Sequence, residues 1–170
     1  MRPVMVWTPR VTVAAVIERD GAFLMVEEHT EDGLRLSQPA GHLEPGESIV
    51  AAAIRETLEE TGHQLQPCGW LGTDLWTVGG ESPYSGTTYL RFNFVGTVTG
   101  PLPGVVLDAD IKRAFWITAE ELRARPNEHR SALVMKCIDN YLEVRKSGRD
   151  WLPLDAFHTH SVVLDLNHGK

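Results

Sequence analysis

Between residues 41 and 63 the chain reads GHLEPGESIVAAAIRETLEETGH, and this stretch constrains the fold more than any other. Pro45-Gly46 breaks the chain ahead of it, Gly62 is placed to end it, and the residues between them suit a short helix. At 3.6 residues per turn, Glu56, Glu59 and Glu60 fall within an arc of about 100° on one helix face. Ala51, Ile54 and Leu58 gather on the opposite face, which predicts that this face packs onto a sheet. Like charges at these spacings repel by roughly a few tenths of a kcal/mol per pair. A helix that concentrates them above a buried face needs something to neutralise them. Hard divalent cations are suited to that, because Mg²⁺ takes oxygen ligands and bridges carboxylates to substrate phosphates.

The rest of the chain supplies the sheet. VTVAAVI at 11–17 is β-branched and nearly continuous, as a buried strand should be. Asp20-Gly21 is a hairpin turn signal, and FLMVEE at 23–28 is the partner strand. Asp32-Gly33 marks another turn, followed by a short extended piece at 34–37. Residues 70–77 and 88–98 have strand composition. Alternation in the second places Arg91 and Asn93 opposite Leu90, Phe92 and Phe94. The 79–86 segment is a loop or hairpin tip, and GPLPG at 100–104 is a loop. Residues 114–117 read as a strand, and 119–123 and 130–146 as helices. The longer helix carries Leu133, Ile138, Tyr141 and Leu142 as an apolar stripe. This order predicts an α/β protein with a mixed sheet and helices on both faces.

At 170 residues the chain is expected to be one domain, with a core over about 9–154 and a C-terminal tail over 155–170 whose last residues are loosely held. Hydrophobic content of 42% and charged content of 23% suit a soluble globular protein. No apolar run approaches bilayer length, and the first residues make a poor signal peptide, so no membrane partner is expected. Cys68 and Cys137 are the only cysteines and suggest no disulfide framework, which makes a reducing cytoplasm the expected location. The net charge of −7, without a basic run, argues against a nonspecific grip on nucleic acid. A small anionic substrate remains compatible, because a bound metal reverses the local field. A monomer and a homodimer are both open.

The 41–63 segment resembles the signature of the Nudix hydrolase superfamily, G-x5-E-x7-R-E-U-x-E-E-x-G-U, in which U is a bulky apolar residue. Gly41, Glu47, Arg55, Glu56, Glu59, Glu60 and Gly62 fill all seven fixed positions. Thr57 and His63 stand where the pattern asks for apolar residues. The alternative, a solvated acidic helix face, explains neither the Gly-to-Glu opening nor the place of the arginine. The resemblance implies an α/β/α sandwich in which the signature forms a loop–helix–loop beside the mixed sheet. It also implies Mg²⁺-dependent hydrolysis of phosphoanhydrides, with Mn²⁺ as a substitute.

By that resemblance Glu56, Glu59 and Glu60 are the metal-binding and catalytic carboxylates; the Gly41 carbonyl is a candidate further ligand, because backbone approaches most closely where no side chain intrudes. Glu47 supports them or orders the loop by hydrogen bonds. Arg55 orients Glu59 four residues on, a role that fixes ligand geometry, with direct phosphate contact as its alternative. The base is either a carboxylate of the signature or an acid from a distant loop. Asp110 is favoured over Asp108, and both also suit a solvated loop. Arg91 could hold a phosphate through its planar fork, or pair with a carboxylate on the sheet. His42 is a substrate-binding candidate, with loop packing as the alternative. Trp7, Trp70 and Trp76 are weighed for stacking on a base, with packing preferred for each. His158 and His160 lack the companions of a zinc site.

Outside the signature, PAGHLEPGES has a histidine after its first glycine. With VTVAAVI, FLMVEE, YLRFNF, LDADI and RSALV, it resembles one branch of the superfamily over about residues 11–154. That branch removes orthophosphate stepwise from nucleoside tri- and diphosphates and from hydroxymethylpyrimidine pyrophosphate. Two alternatives stay open. One is pyrophosphohydrolysis of another small molecule, such as an oxidised nucleotide, a nucleoside diphosphate sugar or ADP-ribose. The other is a non-catalytic nucleotide-binding module.

Overall fold

A computed structural model describes residues 7–81 and 83–159. Strand β1 (Arg10–Arg19) runs through the middle of a seven-stranded mixed sheet of order β3-β2-β1-β6-β5. It lies beside β2 (Ala22–Thr30) and the short β4 (Ala40–His42), and β3 (Gly33–Ser37) pairs with β2. Later come β5 (Gln64–Thr77), β6 (Thr88–Thr99) and β7 (Ile111–Thr118). Strand β1 lies parallel to β6 and antiparallel to β2 and β4, and β7 pairs with β2. The β1–β2 hairpin turns at Asp20 and Gly21, both at positive φ (52° and 82°), the handedness a tight hairpin requires.

The sheet splits where the site forms. Along β1, Thr12–Ala14 pair with β4, whereas Glu18 and Arg19 pair with β2. The two partners diverge and leave a gap at the β4 end. A bulge between Glu27 and Glu28 shifts the β2–β7 register at the same end. Bulges re-aim side chains, and here Glu28 is buried beside the gap.

Helices α1 (Ile49–Thr61), α2 (Ala119–Arg123) and α3 (Leu133–Ser147) complete the α/β/α sandwich. Phe94, Val13 and Leu65 anchor the core under α1, and Phe23, Met25 and Val95 anchor the one under α3. Ser48 caps α1 by accepting the Ala51 N–H at 3.0 Å, and Gly62 closes it in the left-handed conformation at φ 70°.

Four sequence expectations change. The face of α1 carrying Ala51, Ile54 and Leu58 is not the buried one: Ala51 is exposed, and Ala52, Ala53, Glu56, Thr57, Glu60 and Thr61 are buried. Small alanines let the helix sit close to the sheet, and the carboxylates turn inward because they face the gap rather than the core. Strand β5 begins at Gln64, six residues before 70, because bulges at Pro67/Gly69 and Trp70/Gly72 absorb residues that read as breakers. Helix α3 starts at Leu133, its first N–H bonding the Ser131 hydroxyl at 3.3 Å, and Arg130 stays in the preceding turn. In the C-terminal segment, Leu152 exchanges backbone hydrogen bonds with Trp70 (2.8 and 3.1 Å), and Phe157 packs against Trp70, Phe92 and Phe94. A side chain at Gly69 would place Cβ 2.3 Å from Trp151 Cβ, so this docking requires the glycine. His160 lies outside the described residues.

Candidate active site

A cavity of about 430 Å³ opens where β4 and β2 part. Its acidic wall holds Glu28, Glu56, Glu60, Asp108 and Asp110, with Gly41 in the middle of β4. Facing these are Arg91 and Arg130, and Trp76, Tyr89 and His42 line the same space. The signature helix, the turn before β7 and the turn before α3 therefore converge on side chains from β2, β4, β5 and β6.

Arg55 organises the helix end of this site. It donates through Nε to Glu47 Oε2 (3.1 Å) and through Nη2 to Glu47 Oε1 (2.7 Å) and the His42 carbonyl (3.0 Å). Through Nη1 it donates to Glu56 Oε1 (2.7 Å) and Glu59 Oε2 (2.9 Å). All five guanidinium N–H groups are thus engaged, a pattern lysine cannot reproduce. The Arg55 hydrogen bonds hold the Glu47 carboxyl below the usual range and raise the guanidinium further.

Glu56 and Glu60 are more deeply placed. Burial raises the Glu56 carboxyl, with Glu59 and Asp108 adding to the effect and Arg55 opposing it. Burial pushes Glu60 up to about 9; the Ala40 N–H, donated to Oε2 at 2.8 Å, opposes this, while Glu28, Glu56 and Asp108 reinforce it. Asp108 is raised by burial and then by Glu59 and Asp110. Concentrating carboxylates out of water is unfavourable unless a cation joins them. Gly41 makes the approach possible: a Cβ there would lie 2.1 Å from the carboxylate atoms of Glu56.

The donor set is all oxygen, which suits a hard cation by type and by field. As placed, no three His, Cys, Asp or Glu side chains among the described residues stand close enough together to hold a metal. Instead Nη1 of Arg55 bridges Glu56 and Glu59. The carboxylates fit a divalent ion in chemistry, while in this arrangement Arg55 and the Ala40 N–H hold them.

Arg91 is the buried cation of the opposite wall. Burial pushes its guanidinium below the ordinary value, its Nε has no hydrogen-bond partner, and Nη2 reaches only Gln38 Oε1 at 3.4 Å. It forms no ion pair with any described residue, so the expected alternative of a sheet salt bridge does not apply. Beside it Asn93 donates to Asp74 at 2.8 Å and accepts from the Cys137 thiol at 3.2 Å. Arg130 instead pairs with buried Glu28 and is anchored by its own N–H to the Leu36 carbonyl at 2.9 Å.

The structure therefore brings Gly41, His42, Glu56, Glu60, Arg91 and Asp110 to one cavity, with Asp108 beside them. Glu59 sits on the outer side of α1, its side chain 41% exposed and held by Arg55. Glu47 stays behind Arg55. Trp76 lines the cavity, Trp7 is exposed, and Trp70 packs under Phe157. The two departures from the signature are absorbed: Thr57 bonds the Ala53 carbonyl at 2.7 Å, and His63 lies edge-on to Trp116. Glu28, Glu44, Tyr89 and Arg130 were not singled out from the sequence. A bulge turns Glu28 inward, and Arg130 arrives from a turn 102 residues later; neither leaves a local signal.

This fold and this signature helix define the chain as a member of the Nudix family, and the model of the NUDIX domain matches residues 7–136. It is accordingly an enzyme, a phosphohydrolase that opens phosphoanhydride bonds. Such hydrolases in general use divalent metal ions and small-molecule nucleotide substrates. Over 133 residues the chain is 39% identical to phosphatase NudJ of Escherichia coli strain K12, covering 78% of this chain and 83% of that one. NudJ represents the branch that the PAGHLEPGES loop resembles. A solved NUDIX hydrolase from Nitrosomonas europaea is 47% identical, with a TM-score of 0.80 over 90% of this chain and 98% of its own. The Escherichia coli ORF135 protein shares the fold at 22% identity and a TM-score of 0.65, over 82% and 93% of the two chains. Among the described residues no helix is long and apolar enough to cross a membrane.

Proposed function

We propose that this enzyme releases orthophosphate stepwise from nucleoside tri- and diphosphates and from hydroxymethylpyrimidine pyrophosphate, with Mg²⁺ as its cofactor and Mn²⁺ as a substitute. The observation that carries the reading is the cavity itself, which sets buried carboxylates against a buried, unpaired arginine. The similarity to NudJ supports the substrate class.

Glu56, Glu59, Glu60 and the Gly41 carbonyl would hold the divalent ion, which neutralises phosphate charge and lowers the pKa of bound water. Arg55, with Glu47 behind it, keeps the carboxylates in register. Arg91 offers its free Nε–H to a phosphate oxygen from a desolvated position, where such a bond is strong. His42 borders the phosphate path from β4. Asp110 accepts the proton of the attacking water at a carboxylate oxygen as the water oxygen bonds to the terminal phosphorus. The bridging P–O bond breaks, and the shortened phosphate chain leaves with its negative charge facing Arg91 and Arg130.

Product analysis tests this directly with GTP, GDP, an oxidised dGTP, ADP-ribose and hydroxymethylpyrimidine pyrophosphate, each with Mg²⁺. Orthophosphate appearing stepwise from GTP, GDP and the pyrimidine compound is the expected result. Pyrophosphate or a nucleoside monophosphate formed in one cut would place the enzyme on a different branch of the family. Glu59→Gln serves as the control, and we expect it to remove most turnover from a folded protein. No hydrolysis of any compound would overturn the reading.

A further inference from the structure

We propose that Trp76 and Tyr89 form a ring-binding shelf that selects substrates whose phosphate chain is attached to an aromatic heterocycle. The inference rests on the cavity being the hydrolytic site, and it names the part of the substrate that the carboxylates and arginines do not recognise.

Trp76 and Tyr89 face one another across the β5–β6 pair, in direct register. Their rings are stacked, with centroids 6.1 Å apart and planes 27° from parallel. The His42 ring continues the row on the other side of Tyr89 at 6.2 Å. All three line the cavity that holds Glu56 and Glu60. The pair is half-buried and belongs to neither core cluster, whereas Trp70, Trp116 and Trp151 all pack against a core. Core packing therefore accounts for three of the five tryptophans; Trp7 is exposed and does not line the cavity, which leaves Trp76 as the tryptophan of the site. Half-exposed aromatic surface held in a cleft is what a stacking ligand covers.

The placement also fits the length of a nucleotide. Side chains two apart on a strand share a face, so Tyr89 stands beside Arg91 at a spacing of about 7 Å. In the register of the sheet, the row Trp76–Tyr89 is followed by the row Asp74–Arg91–Thr12. A ring on the shelf thus leaves room for a ribose or a methylene group before the first phosphate reaches Arg91. Stacking reads a π-face and ignores the pattern of donors on its edge. The shelf accordingly favours purines and pyrimidines over ring-free phosphoanhydrides while discriminating weakly among the bases.

The test compares kcat/KM for GDP with kcat/KM for inorganic triphosphate in the wild type, Trp76→Ala and Trp76→Phe. In Trp76→Ala the GDP-to-triphosphate ratio should fall on the order of tenfold, through KM rather than kcat, and Trp76→Phe should restore most of it. Equal changes for both substrates would show that Trp76 only supports the structure, and no change would remove it from the site; either result overturns the shelf. Calorimetric titration in chelator, where the metal-dependent reaction does not run, gives the same comparison with GDP and with inorganic pyrophosphate. The shelf is scored on this selectivity, whereas the proposed function is scored on which product forms, so the two fail separately.

Discussion

Helices α1 and α3 cover opposite faces of one sheet, and they bury opposite chemistries. Helix α3 turns Leu133, Val134, Cys137, Ile138 and Tyr141 inward. Helix α1 turns inward two alanines, two threonines, Glu56 and Glu60. The threonine hydroxyls are satisfied within the helix, at 2.7 Å to Ala53 O and 2.6 Å to Thr57 O. The glutamates rely on one arginine and one backbone N–H. One helix is held by hydrophobic burial, whereas the other holds charge in place at a cost in stability. The difference marks α1 as the element shaped by chemistry.

The sharpest way to break this contrast is Glu60→Gln. If Glu60 serves the metal, turnover should fall by about 100-fold or more, since metal stabilisation of phosphate charge is worth several kcal/mol. The same substitution should stabilise the metal-free protein. Glu60 ionises near 9 when folded against an ordinary 4.5, so folding disfavours its charge. That contribution is at its best below about pH 4.5 and is lost as pH rises toward 9. Removing the charge should recover on the order of 3 kcal/mol at pH 7, read as a raised Tm in chelator. A lower Tm would show that Glu60 is structural.

Ile138→Ala should do the reverse. The side chain is fully buried among Phe23, Val95 and Leu122, and its truncation should cost about 2–5 kcal/mol in denaturant unfolding. kcat per folded molecule should stay close to that of the wild type. A large loss of kcat would mean that α3 is coupled to the site.

Arg55→Lys sharpens the comparison within α1. Lysine cannot fill the five-donor arrangement, and a loss of roughly 10- to 100-fold in kcat or metal affinity is expected. Retained activity would show that the arginine network is dispensable. A smaller effect is expected of Mg²⁺ on stability: the ion should raise Tm more at pH 8 than at pH 5, because it must displace the proton of Glu60, which is held more firmly as pH falls. Equal shifts would place binding elsewhere.

The scaffold was legible in the sequence because its signals are local. The VTVAAVI run, the Asp20-Gly21 turn and the stripe of α3 each reflect periodicity or backbone chemistry within a few residues, although Leu142, expected in that stripe, is exposed and Val134 and Cys137 are buried in its place. The carboxylates of α1 were legible as a set, but their burial was not. An amphipathic reading sends charge to solvent, and only the gap beside β4 reverses that for Glu56 and Glu60. Glu28 depends on a bulge, Arg130 on a turn far along the chain, and Tyr89 on its cross-strand partner. Such neighbours are set by tertiary pairing, which leaves no spacing in the chain to read. Gly41 lies between the two cases: its position was visible, while the reason for it, room for the Glu56 carboxylate, required the fold.

The most direct test of the central claim, that the buried carboxylates of α1 hold the divalent ion, is proton release on Mg²⁺ binding. Calorimetry at pH 7.5 in buffers of different ionisation enthalpy measures it. The wild type should release about one proton per ion bound, because Glu60 must ionise to take part, and Glu60→Gln should release markedly less while binding more weakly. Equal affinity and equal proton release in the two proteins would contradict the account.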